Sequence, residues 1–339
     1  MLNRILKFTI SALLLVLLSS VFGCKKDNVE TSQEGDKLRI VTTIPPLYAH
    51  TKAIVGDLAI VENLVTPGQS AHTFDLTPAQ AKSLAYADIV IVNGLDLEEF
   101  LADFIANAEA EGTMIVDASE GIPTIDYEEH SDEDEHHDEE EGNHEEEADE
   151  HHHDGADPHV WLSPTNAMAQ VKIISAAIMA NDPANASTYN DNTNYYLELI
   201  SKLKTELSDQ FATTKPANFI VFHDAYRYFL REYNLESYQK GILEVVPGTE
   251  PSLAYLKKLT DLISEGEVKI IFTEPQFPSD VAKALADKVG RPVGVLDPLG
   301  SALNADGYLN LLIDLKTNLT KLGKMRTSVS PAGFAPHRM

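Results

Sequence analysis

The chain has 339 residues, 43% of them hydrophobic, which is enough for two domains of ordinary size, each with its own core, and too apolar for a disordered protein. Its formal charge of −27 is mostly local: residues 126–154 hold 17 acidic side chains and no lysine or arginine, leaving about −10 for the rest. That balance repels phosphate backbones and anionic bilayers, which excludes nucleic acid as a partner and favours divalent cations.

Arg4 and Lys7 precede an apolar run that ends in Val21-Phe22-Gly23-Cys24. The run is shorter than the ~20 residues of a membrane span and lysines follow it, so residues 1–23 read as a cleaved export signal. Its end resembles the cleavage site of bacterial lipoproteins, which implies that Cys24 becomes the mature N-terminus and carries lipid. Cys24 is the only cysteine; it excludes an intramolecular disulfide and leaves metal binding to nitrogen and oxygen ligands. Residues 24–36 are polar and charged and read as a tether.

From residue 38 short β-branched runs alternate with helical periodicity. Strands are predicted over 38–43, 58–65, 89–93 and 113–117. A helix start is marked by Thr77-Pro78-Ala79-Gln80, where threonine, proline and glutamine stand at the positions of a capping box. Residues 126–157 interrupt the pattern with low-complexity Glu and Asp around His130, His136, His137, His144, His151, His152 and His153. Such a segment buries no core and is expected to be disordered without metal. Helices follow over 163–180 and 186–211, the second with Tyr196, Leu199, Leu203 and Leu207 on one face. A second series of strands is predicted over 219–222, 241–246, 268–273 and 293–296, with a last helix over 310–322. The chain thus reads as α/β: two similar lobes, 37–185 and 213–323, each with a mostly parallel sheet flanked by helices, separated by a long helix over 186–212. Residues 324–339 stay unassigned.

Five histidines lie outside the acidic segment, at 50, 72, 159, 223 and 337. His223 follows a strand, and residue 224 is expected to open a helix, so its side chain emerges at the carboxyl edge of the second sheet, where open α/β folds bind ligands. His72, between a strand and the helix at Thr77, stands on the matching edge of the first sheet. His159 lies in the loop Asp157-Pro158-His159-Val160-Trp161, and Asp297 ends the last strand. Three imidazoles and one carboxylate satisfy the four-coordinate preference of Zn²⁺. A loop histidine by itself is more often a surface or hydrogen-bonding residue than a ligand, so position alone leaves this open; His50, inside an apparent helix, is assigned to that blander role.

Six fragments resemble the metal-binding receptors of bacterial ABC importers, in the branch of the high-affinity zinc-uptake proteins. They are Ile44-Pro45-Pro46, His72-Thr73-Phe74, Asp157-Pro158-His159-Val160-Trp161-Leu162-Ser163-Pro164, His223-Asp224-Ala225-Tyr226-Arg227-Tyr228-Phe229, Thr273-Glu274-Pro275-Gln276-Phe277 and Leu296-Asp297-Pro298-Leu299-Gly300. The resemblance implies two lobes joined by a rigid helix with the metal in the cleft between them. It implies an exported, lipid-anchored, monomeric receptor that is not an enzyme and delivers its ion to an ABC permease. Its ligands map onto His72, His159 and His223. Asp297 is the expected fourth, with water or Glu274 as alternatives; Glu274, beside a proline at a strand end, is expected to support the fold. Relatives that resemble manganese or iron receptors carry glutamate at the position of His223, whereas imidazole favours zinc. The histidine-rich segment resembles a loop of zinc receptors and is read as a weak auxiliary store of metal. A zinc hydrolase is the competing reading, but neither HExxH nor a nucleophile elbow is present. An adhesin is a third, with no motif of its own.

Overall fold

The computed structural model describes residues 37–126, 155–245 and 248–325. The export signal, Cys24, the tether, the seven histidines between 130 and 153 and the tail from 326 onward lie outside the described residues. Residues 324 and 325 belong to the last helix.

Ile89-Val90-Ile91-Val92 is buried at every position, as expected of a central parallel strand covered on both faces. It is β3 of a four-stranded parallel sheet, with β1 (Arg39–Thr42), β2 (Ile60–Asn63) and β4 (Met114–Asp117) in the order β2-β1-β3-β4. The second half repeats the plan: β5 (Phe219–Val221), β6 (Gln239–Ile242), β7 (Ile270–Thr273) and β8 (Val293–Val295) form a parallel sheet in the order β6-β5-β7-β8. Winding reverses between β1 and β3, and again between β5 and β7, so each sheet has its switch point, the usual seat of a ligand, at corresponding carboxyl ends.

Between β1 and β4 lie α1 (Pro45–Val55), α2 (Pro78–Ala85) and α3 (Ala102–Glu111). The capping box of α2 forms as its sequence predicts, with Thr77 and Gln80 bonded reciprocally. The long helices α4 (Pro164–Asn181) and α5 (Ala186–Thr213) pack on one another, and α5 also packs on α1. Among the expected face residues of α5, Tyr196, Leu203 and Leu207 are buried, but Ile200 rather than Leu199 fills the fourth place. Steps of four and three from Tyr196 reach 200, 203 and 207, which keeps one stripe at 3.6 residues per turn. The second half holds α6 (Arg227–Glu232), α7 (Leu253–Ser264), α8 (Asp280–Val289) and α9 (Gly307–Met325).

Three differences from the sequence expectation have local causes. Asp224 does not open a helix; α6 begins at Arg227, because Ala225 N–H turns back on the His223 carbonyl. Strand β6 starts two residues earlier than expected, directly after a 3₁₀ turn over Glu236–Tyr238. Most consequentially, α9, which the sequence places in the second half, packs on α1 of the first, with Tyr308 edge-on to His50 at 4.6 Å between ring centres. A continuous core results, running from Ile40 and Leu47 through Tyr196 and Ile200 to Phe229, Tyr308 and Leu311.

Candidate metal centre

Parallel pairing sets the second-lobe half of the site. Phe219 pairs with Ile270 and Ile220 with Ile271, and the same offset carried past the strand ends sets His223 opposite Glu274. There the Glu274 carboxylate accepts from His223 Nδ1 at 2.7 Å and from its backbone N–H at 3.3 Å. In the first lobe, Asp157 Oδ1 accepts from His159 Nδ1 at 2.7 Å and from His159 N–H at 3.0 Å, a turn two residues long. Each buried ring therefore has Nδ1 committed to a carboxylate, which turns Nε2 outward to a common point.

The His159 loop is fixed from behind by Glu98. This buried carboxylate accepts from Thr43 Oγ1 at 2.6 Å, Asn93 N–H at 2.6 Å and Gly94 N–H at 3.0 Å. Asn93 Nδ2 in turn donates to the Pro158 carbonyl at 2.9 Å. Burial, opposed by these hydrogen bonds, pushes the Glu98 carboxyl up to about 7. From the other side, Trp161 Nε1 donates to the Pro298 carbonyl at 2.7 Å and Tyr308 to the Trp161 carbonyl at 2.8 Å. The loop of one lobe is thereby bonded to the loop after β8 of the other.

His72, His159 and His223 meet. His159 Nε2 lies 3.1 Å from His72 Nε2 and 3.2 Å from His223 Nε2, and the three are the described histidine, cysteine or acidic residues that group closely enough to hold an ion. A tetrahedral zinc with bonds near 2.0–2.1 Å separates its ligand nitrogens by about 3.4 Å, so these rings stand at ligating spacing to within a few tenths of an ångström. His159 and His223 are buried and His72 is exposed, which opens the group to solvent on the His72 side. The cavity between them has a volume of about 10 Å³, close to one water-sized sphere.

The two buried rings titrate in opposite directions. Burial, reinforced by the adjacent His223, holds His159 well below the ordinary imidazole value. Burial alone lowers His223 as well, but the Glu274 carboxylate beside it and its hydrogen bond raise the ring above 6.5. Burial also pushes Asp157 up to about 7, against the hydrogen bond it accepts from His159 N–H.

Asp297 does not join the three histidines, contrary to expectation. Its Oδ1 accepts from Gln276 Nε2 at 2.7 Å and Leu299 N–H at 3.1 Å, because Pro298 turns the chain just beyond β8 and folds the carboxylate onto the next turn. Glu274 is no ligand in this arrangement either, since both oxygens face His223; it does more than support a strand end. Sequence reading missed Asp157 as a partner of His159, though the Asp-x-His spacing carries that signal, and missed Gln276, which lines the cavity. His50 stays apart: it is buried, its Nδ1 lies 3.2 Å from Tyr196 Oη, and burial drives its pKa down to about 3.

Comparison with known proteins places this geometry in a family. The family model described as zinc-uptake complex component A, periplasmic (ZnuA) matches residues 40–322. The high-affinity zinc uptake system protein ZnuA of Bacillus subtilis strain 168 is 33% identical over 315 residues, covering 90% of this chain and 93% of that protein. The manganese-binding lipoprotein MntA of Halalkalibacterium halodurans is 28% identical over 291 residues, covering 85% of this chain and 87% of its own length. A crystal structure of ZnuA matches the fold with a TM-score of 0.68 at 28% identity, over 85% of this chain and 99% of that one. The paired four-stranded sheets, the histidines convergent between them and a family match spanning both lobes lead to one assignment: the chain belongs to the ZnuA family of zinc-uptake components.

Proposed function

We propose that His72, His159 and His223 are the zinc ligands of an extracytoplasmic receptor that captures Zn²⁺ and hands it to an ABC-type permease. The protein is a receptor and not an enzyme; the ion is its cargo. The observation that carries the ligand assignment is the convergence of three Nε2 atoms whose two buried rings have Nδ1 tied to Asp157 and Glu274. Such carboxylate partners fix the tautomer that presents the Nε2 lone pair and make it more basic. Three nitrogen donors suit a borderline ion better than Mn²⁺, which prefers oxygen. The exposed His72 is the first group an arriving ion meets, and the buried pair completes its capture.

Export brings the chain to that compartment, and lipid on Cys24 holds it at the membrane as a monomer. The histidines between 130 and 153 add weak sites that raise the local ion concentration. Deleting residues 127–154 removes the weak equivalents in calorimetry and leaves the tight one, and Cys24→Ala releases the protein from the membrane fraction.

The deciding experiment is metal analysis of protein purified without added metal, followed by Zn²⁺ and Mn²⁺ competition on the wild type and on His72→Ala, His159→Ala and His223→Ala. Zinc recovered at one tight equivalent, and lost in each variant, is the expected result. A tight site that survives all three substitutions, or Mn²⁺ displacing Zn²⁺ at equal concentration, overturns the assignment.

A further inference from the structure

The carboxamide of Gln276 stands at the cavity with its two ends in different situations. Nε2 donates to Asp297 Oδ1 at 2.7 Å. Oε1 is buried and has no hydrogen-bond partner, and among the described residues that line the cavity no other side chain has a buried polar atom in that condition. The assignment of the two ends is not arbitrary. An ionised carboxylate only accepts, so the amide nitrogen must face Asp297 and the oxygen must face away from it. Asp297 does not line the cavity, whereas Gln276 does, together with the three histidines.

We propose that Gln276 Oε1 accepts a hydrogen bond from the water that completes the coordination of zinc on His72, His159 and His223, and that Asp297 serves the site by aiming this carboxamide. The inference rests on the three-histidine reading above and adds the fourth position to it. Three neutral imidazoles leave the ion its full charge, which polarises a bound water and makes it a strong donor. That donor needs an acceptor, and a buried carbonyl oxygen without a partner is itself costly to leave so. One water-mediated contact satisfies both. It also explains why a carboxylate near the site is turned away from the three histidines: its work is done through a neutral group, so that water completes the tetrahedral sphere and no charged protein ligand holds the cargo back.

The test uses the full chain in its Zn²⁺ and Co²⁺ forms, with Gln276→Leu, Gln276→Met, Asp297→Asn, Asp297→Ala and the double variant Gln276→Leu/Asp297→Ala. In the wild-type Co²⁺ form, water carrying the magnetic oxygen isotope is expected to show hyperfine coupling to the metal. Gln276→Leu and Gln276→Met weaken Zn²⁺ binding roughly tenfold, as loss of a partner outside the ligand set does. Asp297→Ala gives a similar loss, and none further in the Gln276→Leu background. Asp297→Asn, whose amide oxygen still accepts from Gln276, loses less than Gln276→Leu. Absence of water coupling in the wild type, unchanged affinity in both Gln276 variants, or a larger loss in Asp297→Asn than in Gln276→Leu overturns the proposal. The last result makes Asp297 a direct ligand. The His72→Ala control separates the two readings: if it loses tight zinc while the Gln276 variants do not, the role of Gln276 alone falls.

Discussion

Each buried histidine of the centre spends one ring nitrogen on a carboxylate, and the metal chemistry of the chain follows from that division. Removing the carboxylate frees the ring to rotate and to hold its proton on either nitrogen. Asp157→Ala and Glu274→Ala are each expected to weaken zinc roughly 10–100-fold, read by competition with a chromophoric chelator, with all three histidines intact. Protons compete for the same lone pairs. Because Glu274 raises His223 while burial holds His159 down, His223 is the more readily protonated of the two buried rings. Zinc binding should therefore tighten as pH rises through the raised value, with His223 releasing a proton, and weaken as pH falls below it. In Glu274→Ala the largest raising influence is gone, with only the weaker pull of Asp224 and Asp157 left against burial, so that pH dependence should move to lower pH. Calorimetry in buffers of different ionisation enthalpy counts the protons.

Short elements, rather than the long helices, do the positioning. Helix α6 is only six residues long, yet its Tyr228 hydroxyl accepts from Ile125 N–H at 2.9 Å and donates to the Asp157 carbonyl at 2.8 Å. Arg227 Nη1 donates to the Asp126 carbonyl at 2.7 Å beside it. These bonds tie the second lobe to the two chain segments that flank residues 127–154, directly behind the partner of His159. Tyr228→Phe strands a buried donor and a buried acceptor, which costs roughly 1–3 kcal/mol; a lower denaturation midpoint, together with weaker zinc binding, is the expected outcome. Glu98→Ala strands the Thr43, Asn93 and Gly94 donors at once and should cost on the order of 3 kcal/mol, measured the same way. At the start of α4, Glu232 of α6 accepts from Ser163 and from Thr165 Oγ1, the latter at 2.6 Å. A carboxylate there also complements the helix dipole.

At the scale of the whole molecule, the continuous core sets how far the lobes can move. A hinge needs an interface that comes apart, and here α1, α5 and α9 bury one apolar cluster with strands of both sheets. Zinc loading is expected to leave the radius of gyration in solution scattering unchanged, with changes in hydrogen exchange confined to the His72, His159 and Gln276 loops. A measurable contraction on loading would contradict a shared core.

Composition, periodicity and punctuation were sufficient for two α/β halves, for the parallel sheets and for the helix between them, because β-branched runs and capping signals such as Thr77-Gln80 act over a few residues. The three histidines were legible for a related reason: His159 and His223 stand close to element ends, His72 lies in the loop between β2 and α2, and carboxyl edges are where side chains leave a sheet. Only the local partnership of Asp157 with His159 left a signal in the spacing; the distant ones did not. Which carboxylate meets His223 depends on strand register across 51 residues between His223 and Glu274, and where Asp297 points depends on how Pro298 turns the chain after β8. Asp297 was therefore the natural fourth ligand on paper, and tertiary structure gave it to Gln276 instead. The docking of α9 on α1 was equally hidden, since an apolar stripe encodes that it must be covered and not by what. Local physics, written in neighbouring residues, set the elements and their edges; contacts between distant residues, set by packing, decided which atoms meet between the lobes.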